Sequence, residues 1–90
     1  MRFVFQQPPV AGGRFRMSVV EFAGPVQLII SVNDRPLARR ACPVPPCYDV
    51  IQIPDNAGGD VLRIVGQDLM GRETLDLPIR PIGDPTERFR

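Results

Sequence analysis

Short stretches of alternating apolar and polar residues run through most of the chain, and proline or glycine separates them. The clearest stretch lies at residues 26–33. There Val26, Leu28, Ile30 and Val32 alternate with Gln27, Ile29, Ser31 and Asn33. A period of two residues is typical of a β-strand with one buried face. This stretch therefore predicts a central strand.

Six further segments have the composition and boundaries of short strands. We place them at residues 2–6, 14–22, 37–40, 48–53, 61–65 and 73–79. Turn-forming residues separate them, and the 11 prolines disfavour long helices. Three sets of side chains are each expected to share one face of a strand: Phe15, Met17 and Val19; Asp49, Ile51 and Ile53; Leu75, Leu77 and Ile79.

Seven short strands at spacings of about 8 to 12 residues predict an all-β fold, an immunoglobulin-like sandwich of antiparallel strands. A chain of 90 residues is long enough for one domain and too short for two cores. We assign residues 1–82 to the sandwich. Residues 83–90 fall outside the strand count, and we expect them to form an extended C-terminal arm.

Three turn motifs accompany these strands. Residues 32–35 read Val-Asn-Asp-Arg, residues 66–72 read Gly-Gln-Asp-Leu-Met-Gly-Arg, and a proline-rich cysteine pair precedes Tyr48. With these motifs, residues 26–82 resemble bacterial immunoglobulin-like (Big-type) domains, which are repeated in adhesins and appended to virion proteins. The resemblance implies an adhesive or virion-associated role. The chain departs from the pattern because its hairpin at residues 33–34 lacks glycine and it has no tryptophan.

The composition limits the chemistry that the chain can perform. It contains no histidine and no lysine, so the commonest general base and the Schiff-base amine are both missing. We therefore expect no enzymatic activity, no cofactor and no small-molecule substrate. The formal net charge of +1 gives no general attraction to nucleic acid or membranes, and we expect neither as a partner.

The two cysteines form the most specific local motif, Cys42-Pro43-Val44-Pro45-Pro46-Cys47. We predict a disulfide that closes this loop, which implies exposure to an oxidising environment. Zinc is the first alternative, but a structural site needs four ligands and therefore cysteines from a second chain. Redox chemistry is the second, although thioredoxin-type cysteines are separated by two residues, not four.

Polar residues in two turns are candidates for hydrogen bonding within the turn or for binding a cation. Asp68 is expected to accept hydrogen bonds from backbone amides of the turn that ends at Gly71. Asp55, Asn56 and Asp60 surround a glycine pair and offer oxygen ligands to calcium. Their spacing fits no calcium-loop motif, so we favour ordinary turn residues.

Candidate interface residues lie near both ends of the chain and on the fourth strand. They are Phe3, Phe5, Arg39, Arg40, Arg88, Phe89 and Arg90. Arginines at positions 14, 16, 39 and 40 would form one basic surface if the second and fourth strands were neighbours, but we favour separate, solvated side chains.

Together these observations predict a non-catalytic structural protein that decorates or cements a multi-subunit assembly, first of all a phage capsid or tail. It would be made in the host cytoplasm and reside in the virion. The alternative is a secreted, extracellular recognition module, adhesin-like or carbohydrate-binding, from a larger protein. The scarcity of aromatic side chains disfavours sugar binding.

Overall fold

Two antiparallel sheets make up the computed structural model, which describes residues 1–82. The strands are β1 (Arg2–Val4), β2 (Arg14–Val20), β3 (Val26–Val32), β4 (Arg35–Cys42), β5 (Cys47–Gln52), β6 (Val61–Asp68) and β7 (Gly71–Pro78). One sheet has the order β1-β2-β5 and the other β4-β3-β6-β7. The predicted all-β sandwich of seven antiparallel strands is confirmed.

Strand β3 lies inside the four-stranded sheet, between β4 and β6. Its alternation follows the sequence pattern, because Leu28 and Ile30 are buried while Gln27 and Ile29 are exposed. The prediction of a central strand at this position is confirmed.

The core fills the space between the sheets with apolar side chains alone, since no polar or charged side chain is buried among residues 1–82. Phe15, Met17 and Val19 point into it from β2, as their spacing predicts. Leu75 and Leu77 of β7 are half-buried against it. The other large, fully buried contributors are Leu28, Ile30, Ile53, Leu62, Ile64 and Val26.

The β3–β4 hairpin turns through only Asn33 and Asp34. Both residues have positive φ angles, 47° and 67°, as a mirror-image two-residue turn requires. Asparagine and aspartate tolerate this conformation better than other non-glycine residues, so the turn forms without glycine. The side chain of Asn33 also accepts a hydrogen bond from the Val61 amide at 3.0 Å, which links the turn to β6.

Strand β4 is the edge of the four-stranded sheet and is longer than the sequence predicts, at Arg35–Cys42 instead of 37–40. It contains Pro36, which cannot donate a ladder hydrogen bond and is tolerated at an edge. The three charged side chains of β4 are all exposed: Arg35, Arg39 and Arg40.

The N-terminal strand packs against the second sheet through Gly66 of β6. A Cβ atom at Gly66 would collide with the Met1 sulfur and lie 3.2 Å from the ring of Phe3. Because glycine leaves this space free, the side chains of Met1 and Phe3 pack against the core. No helix in residues 1–82 has the length and apolar character needed to cross a membrane.

Candidate functional site

The outward surface of the three-stranded sheet exposes large apolar side chains. Tyr48, Val50 and Val4 are 78%, 46% and 41% exposed. The strand register brings them together, because Val4 and Tyr48 both pair with Ser18, and Val50 pairs with Arg16. The water-facing side of an antiparallel sheet normally carries polar residues. We call this surface, with Arg14 and Arg16, the outer face.

The opposite surface of the sandwich exposes Ile29 and Val61, at 40% and 41%, together with paired charged side chains. On the four-stranded sheet, Arg63 pairs with Asp76 through two hydrogen bonds of 2.8 and 3.1 Å. A further contact of 3.6 Å joins Arg63 to Asp34. The outer face differs from this surface in exposing an aromatic side chain, Tyr48, beside two arginines of one strand that form no ion pair within residues 1–82.

Arg14 and Arg16 project from β2 and are exposed. Neither forms an ion pair with any residue in 1–82, whereas Arg2 pairs with Glu21 at 3.5 Å. Exposed arginines without partners carry charge that a docked protein can neutralise, and the planar guanidinium engages carboxylates bidentately. The outer face is therefore both apolar and cationic.

A groove of about 410 Å³ runs along the N-terminal half of β2, beside the outer face. Residues 4–8 form one wall and residues 14–18 the other. The Phe5 ring lies 5.6 Å from the Phe15 ring, centroid to centroid, and is partly exposed. We call this feature the β2 groove. Phe5, a predicted interface residue, lies in it.

The structure places the other predicted interface residues in different surroundings, and three of them lie outside the described residues. Phe3 is half-buried and packs against the core. Arg39 is exposed on β4, while Arg40 is paired with Asp49 of β5 at 3.0 Å. Strands β2 and β4 belong to different sheets, so they are not paired neighbours that would form one basic surface. Arg88, Phe89 and Arg90 lie outside residues 1–82.

The prediction of a Cys42–Cys47 disulfide is wrong for this structure, in which both cysteines are free. Cys42 ends a strand of one sheet and Cys47 begins a strand of the other. The Cys42 thiol donates a hydrogen bond to the Val44 carbonyl at 3.2 Å. The pKa of the Cys47 thiol is raised from 9.0 to about 12, first by burial and then by its hydrogen bond with Cys42.

Iodoacetamide at pH 8 is expected to alkylate Cys42 at least tenfold faster than Cys47 in the folded protein. The thiolate is the reactive form, and burial both raises the pKa of the Cys47 thiol and screens it from the reagent, whereas Cys42 is only half-buried. Mass mapping of both cysteine-containing peptides over time measures the two rates. Denatured protein is the control, in which the rates should converge. Labelling that requires a reductant would contradict the free-thiol arrangement.

The raised Cys47 pKa also predicts how stability depends on pH. The unfolded thiol ionises near 9.0 and the folded one near 12, so the contribution of Cys47 is complete below pH 9. The contribution of Cys47 to the free energy of unfolding is then lost progressively as the pH rises toward 12. Cys47→Ala should lose less stability than the unmodified protein between pH 9 and pH 12, as measured by urea denaturation at a series of pH values.

Asp68 connects two loops at one end of the sandwich. Its carboxylate accepts hydrogen bonds from the Met70 and Gly71 amides at 2.8 and 3.1 Å, within its own turn. It also accepts one from the Ala23 amide at 3.0 Å. The bond from Ala23 is the main cause of the lowered pKa of Asp68. Sequence reasoning gave the local turn but missed the partner 45 residues away.

Neither comparison with known proteins nor a search for metal-binding clusters assigns a function to this chain. No family model, curated protein or solved structure matches this chain. Within residues 1–82, no group of three or more His, Cys, Asp or Glu side chains is arranged to hold a metal ion. The outer face and the β2 groove therefore remain the strongest functional features.

Proposed function

We propose that this protein is a non-catalytic docking protein that attaches through its outer face to a multi-subunit assembly. A phage capsid or tail is the leading candidate for that assembly, with the protein decorating or cementing its surface. The observation that carries the proposal is the exposure of Tyr48, Val50 and Val4 beside two unpaired arginines. The resemblance to domains appended to virion proteins supports the choice of assembly by analogy.

The chemistry of the outer face suits protein binding. Aromatic residues and arginine are enriched in interfaces, because they combine a large contact area with directional polar groups. Removing apolar surface from water contributes about 25 cal/mol per Å², so covering these side chains favours association. One small sheet face supports modest affinity, and attachment of many copies to a repeating lattice suits such an interface.

Sedimentation of native material tests the proposal first. The chain should travel with a large particle at fixed copy number and detach intact in salt or mild denaturant. Recombinant protein should then rebind to the stripped particle, while Val50→Asp should weaken rebinding by at least tenfold, because it removes an apolar contact and gives Arg16, its cross-strand partner, a carboxylate that competes with the docked protein.

Ile29→Asp is the matched control, since Ile29 is 40% exposed on the opposite sheet. It should rebind within about twofold of the unmodified protein. Equal rebinding by both variants, or recovery of the chain only as a small soluble species, would contradict docking through the outer face.

A secreted recognition module is the second candidate, and the high exposure of Tyr48 favours it, because an isolated aromatic ring can stack on a sugar or a peptide. The free cysteines remove the disulfide that would have supported an oxidising, extracellular location. Glycan binding that is abolished by Tyr48→Ala, in a chain that does not bind particles, would favour this candidate.

A further inference from the structure

The β2 groove exists because the N-terminal segment leaves the sheet early. Strand β1 pairs only with Ser18–Val20 of β2 and ends at Val4. Continuing the same register would place Gln6 opposite Arg16 and Pro8 opposite Arg14. Pro8 has no backbone N–H, and Pro9 follows it, so this segment is a poor ladder partner. The edge of β2 from Arg14 to Met17 is therefore open.

The backbone groups on this open edge can be identified from the pairing of β2 with β5. The Ile53 amide donates to the Gly13 carbonyl at 2.9 Å, next to the start of β2. Hydrogen-bonded pairs alternate along an antiparallel ladder, so Phe15 and Met17 direct their backbone groups toward β5. Arg14 and Arg16 then direct theirs into the groove. No backbone hydrogen bond from residues 5–9 reaches them.

The side chains around the groove define what an added strand should contain. A residue opposite Arg14 or Arg16 would point to the outer face, beside a guanidinium that lacks a carboxylate partner in residues 1–82. A residue between them would point inward, toward the Phe5 and Phe15 rings that line the groove. The complementary pattern is acidic, apolar, acidic.

We propose that the β2 groove binds an extended acidic segment of a partner protein, which adds a strand to the open edge of β2 at Arg14–Met17. The segment places carboxylates opposite Arg14 and Arg16 and an apolar side chain against Phe15. This proposal rests on the proposed docking function and specifies the chemistry of the partner. Strand addition supplies affinity through backbone hydrogen bonds, and the alternate side chains supply specificity.

A second copy of this chain is a poor occupant of the groove. The exposed edge of β4 carries Arg35 and Arg39, which form no ion pair within residues 1–82, so its charge would repel Arg14 and Arg16. The edge of β7 carries Asp76, which is already paired with Arg63. Neither edge offers alternating free carboxylates, whereas a segment of another protein can.

A synthetic peptide tests this proposal on the full chain. The probe is an acetylated and amidated Glu-Val-Glu-Val-Glu peptide, titrated into ¹⁵N-labelled protein and followed by NMR and hydrogen exchange. The Arg14 and Arg16 amides should gain at least tenfold protection from exchange. The Phe15 and Met17 amides should change little, because β5 already pairs with them.

Two control peptides separate strand addition from simple charge attraction. The same peptide with N-methylated glutamates retains its carboxylates but loses the backbone donors opposite Arg14 and Arg16, and it should bind at least tenfold more weakly. A Lys-Val-Lys-Val-Lys peptide should not bind. Arg14→Gln and Arg16→Gln should each weaken binding of the acidic peptide about fivefold, while Arg39→Gln on the opposite sheet should leave it unchanged.

The proposal is overturned if the acidic peptide fails to bind, if N-methylation has no effect, or if binding leaves Arg14 and Arg16 unprotected. Concentration-dependent protection of these amides without peptide would assign the groove to a second copy instead. If the peptide fails while Val50→Asp still prevents particle rebinding, strand addition is wrong and docking through the outer face stands. If Val50→Asp has no effect on rebinding, the docking function itself fails.

Discussion

Ile30→Ala is expected to reduce the free energy of unfolding by about 3 kcal/mol, within the range of roughly 2–5 kcal/mol typical of such truncations. Ile30 is fully buried in the central strand, between Ala38 of β4 and Ile64 of β6. Removing three carbons from this site loses transfer free energy and leaves a cavity that close-packed neighbours cannot fill. Urea denaturation measured by circular dichroism gives the change directly.

Ile29→Ala is the matched control because it makes the same chemical change one residue away. Ile29 points to the opposite side of β3 and is 40% exposed, so the expected loss is below about 1 kcal/mol. Similar losses for the two variants would contradict the alternation on which the sandwich is based. Small domains have only several kcal/mol of stability, so Ile30→Ala should also populate unfolded protein at 37 °C.

Asp68→Ala is expected to lower the melting temperature by several degrees, more than any other single carboxylate substitution in residues 1–82. The side chain accepts hydrogen bonds from the Ala23, Met70 and Gly71 amides. Its loss leaves these donors without their acceptor and weakens the attachment of the loop at residues 21–25 to the β6–β7 hairpin, where the bond from the Leu69 amide to the Ala23 carbonyl remains. Hydrogen exchange at the Ala23 amide should accelerate. Glu73→Ala, which removes an exposed carboxylate without such bonds, should have little effect.

The pH dependence of the Asp68 contribution follows from its lowered pKa, which is caused first by the hydrogen bond from the Ala23 amide. A lowered folded-state pKa gives stability that is present above the unfolded value and is lost as the pH falls through the folded value. The difference in free energy of unfolding between the unmodified protein and Asp68→Asn should therefore be largest near neutral pH and decrease in acid. A gap that stays constant down to pH 2 would contradict this role.

The strands were largely predictable because burial imposes a period of two on the sequence. Residues 26–32 show the period clearly, and Phe15, Met17 and Val19 show it on β2. Ends of strands were less predictable. The sequence favoured continuing β1 to residue 6, but the chain departs at Val4 because Pro8 and Pro9 follow.

The candidate site was less accessible to sequence reasoning because it depends on which strands are neighbours. Placing Asp49, Ile51 and Ile53 on one face of a strand leaves Tyr48 and Val50 on the other. Their spacing cannot show that Val4 and Arg16 lie beside them. The two cysteines are close in sequence and suggested a disulfide. The chain passes from one sheet to the other between them, and their thiols are hydrogen-bonded but not joined. The contact between Asp68 and Ala23 likewise depends on long-range packing.

The composition of β4 has a consequence for behaviour at high protein concentration. Exposed sheet edges are templates for aggregation, because their free backbone groups can pair with another molecule. Pro36 removes one donor from this edge, and the charges of Arg35 and Arg39 repel an identical edge. That repulsion extends about 8 Å at physiological ionic strength but only about 3 Å in 1 M salt. The protection against ribbon-like assembly is therefore partly electrostatic, and concentrated salt leaves Pro36 as the main barrier at this edge.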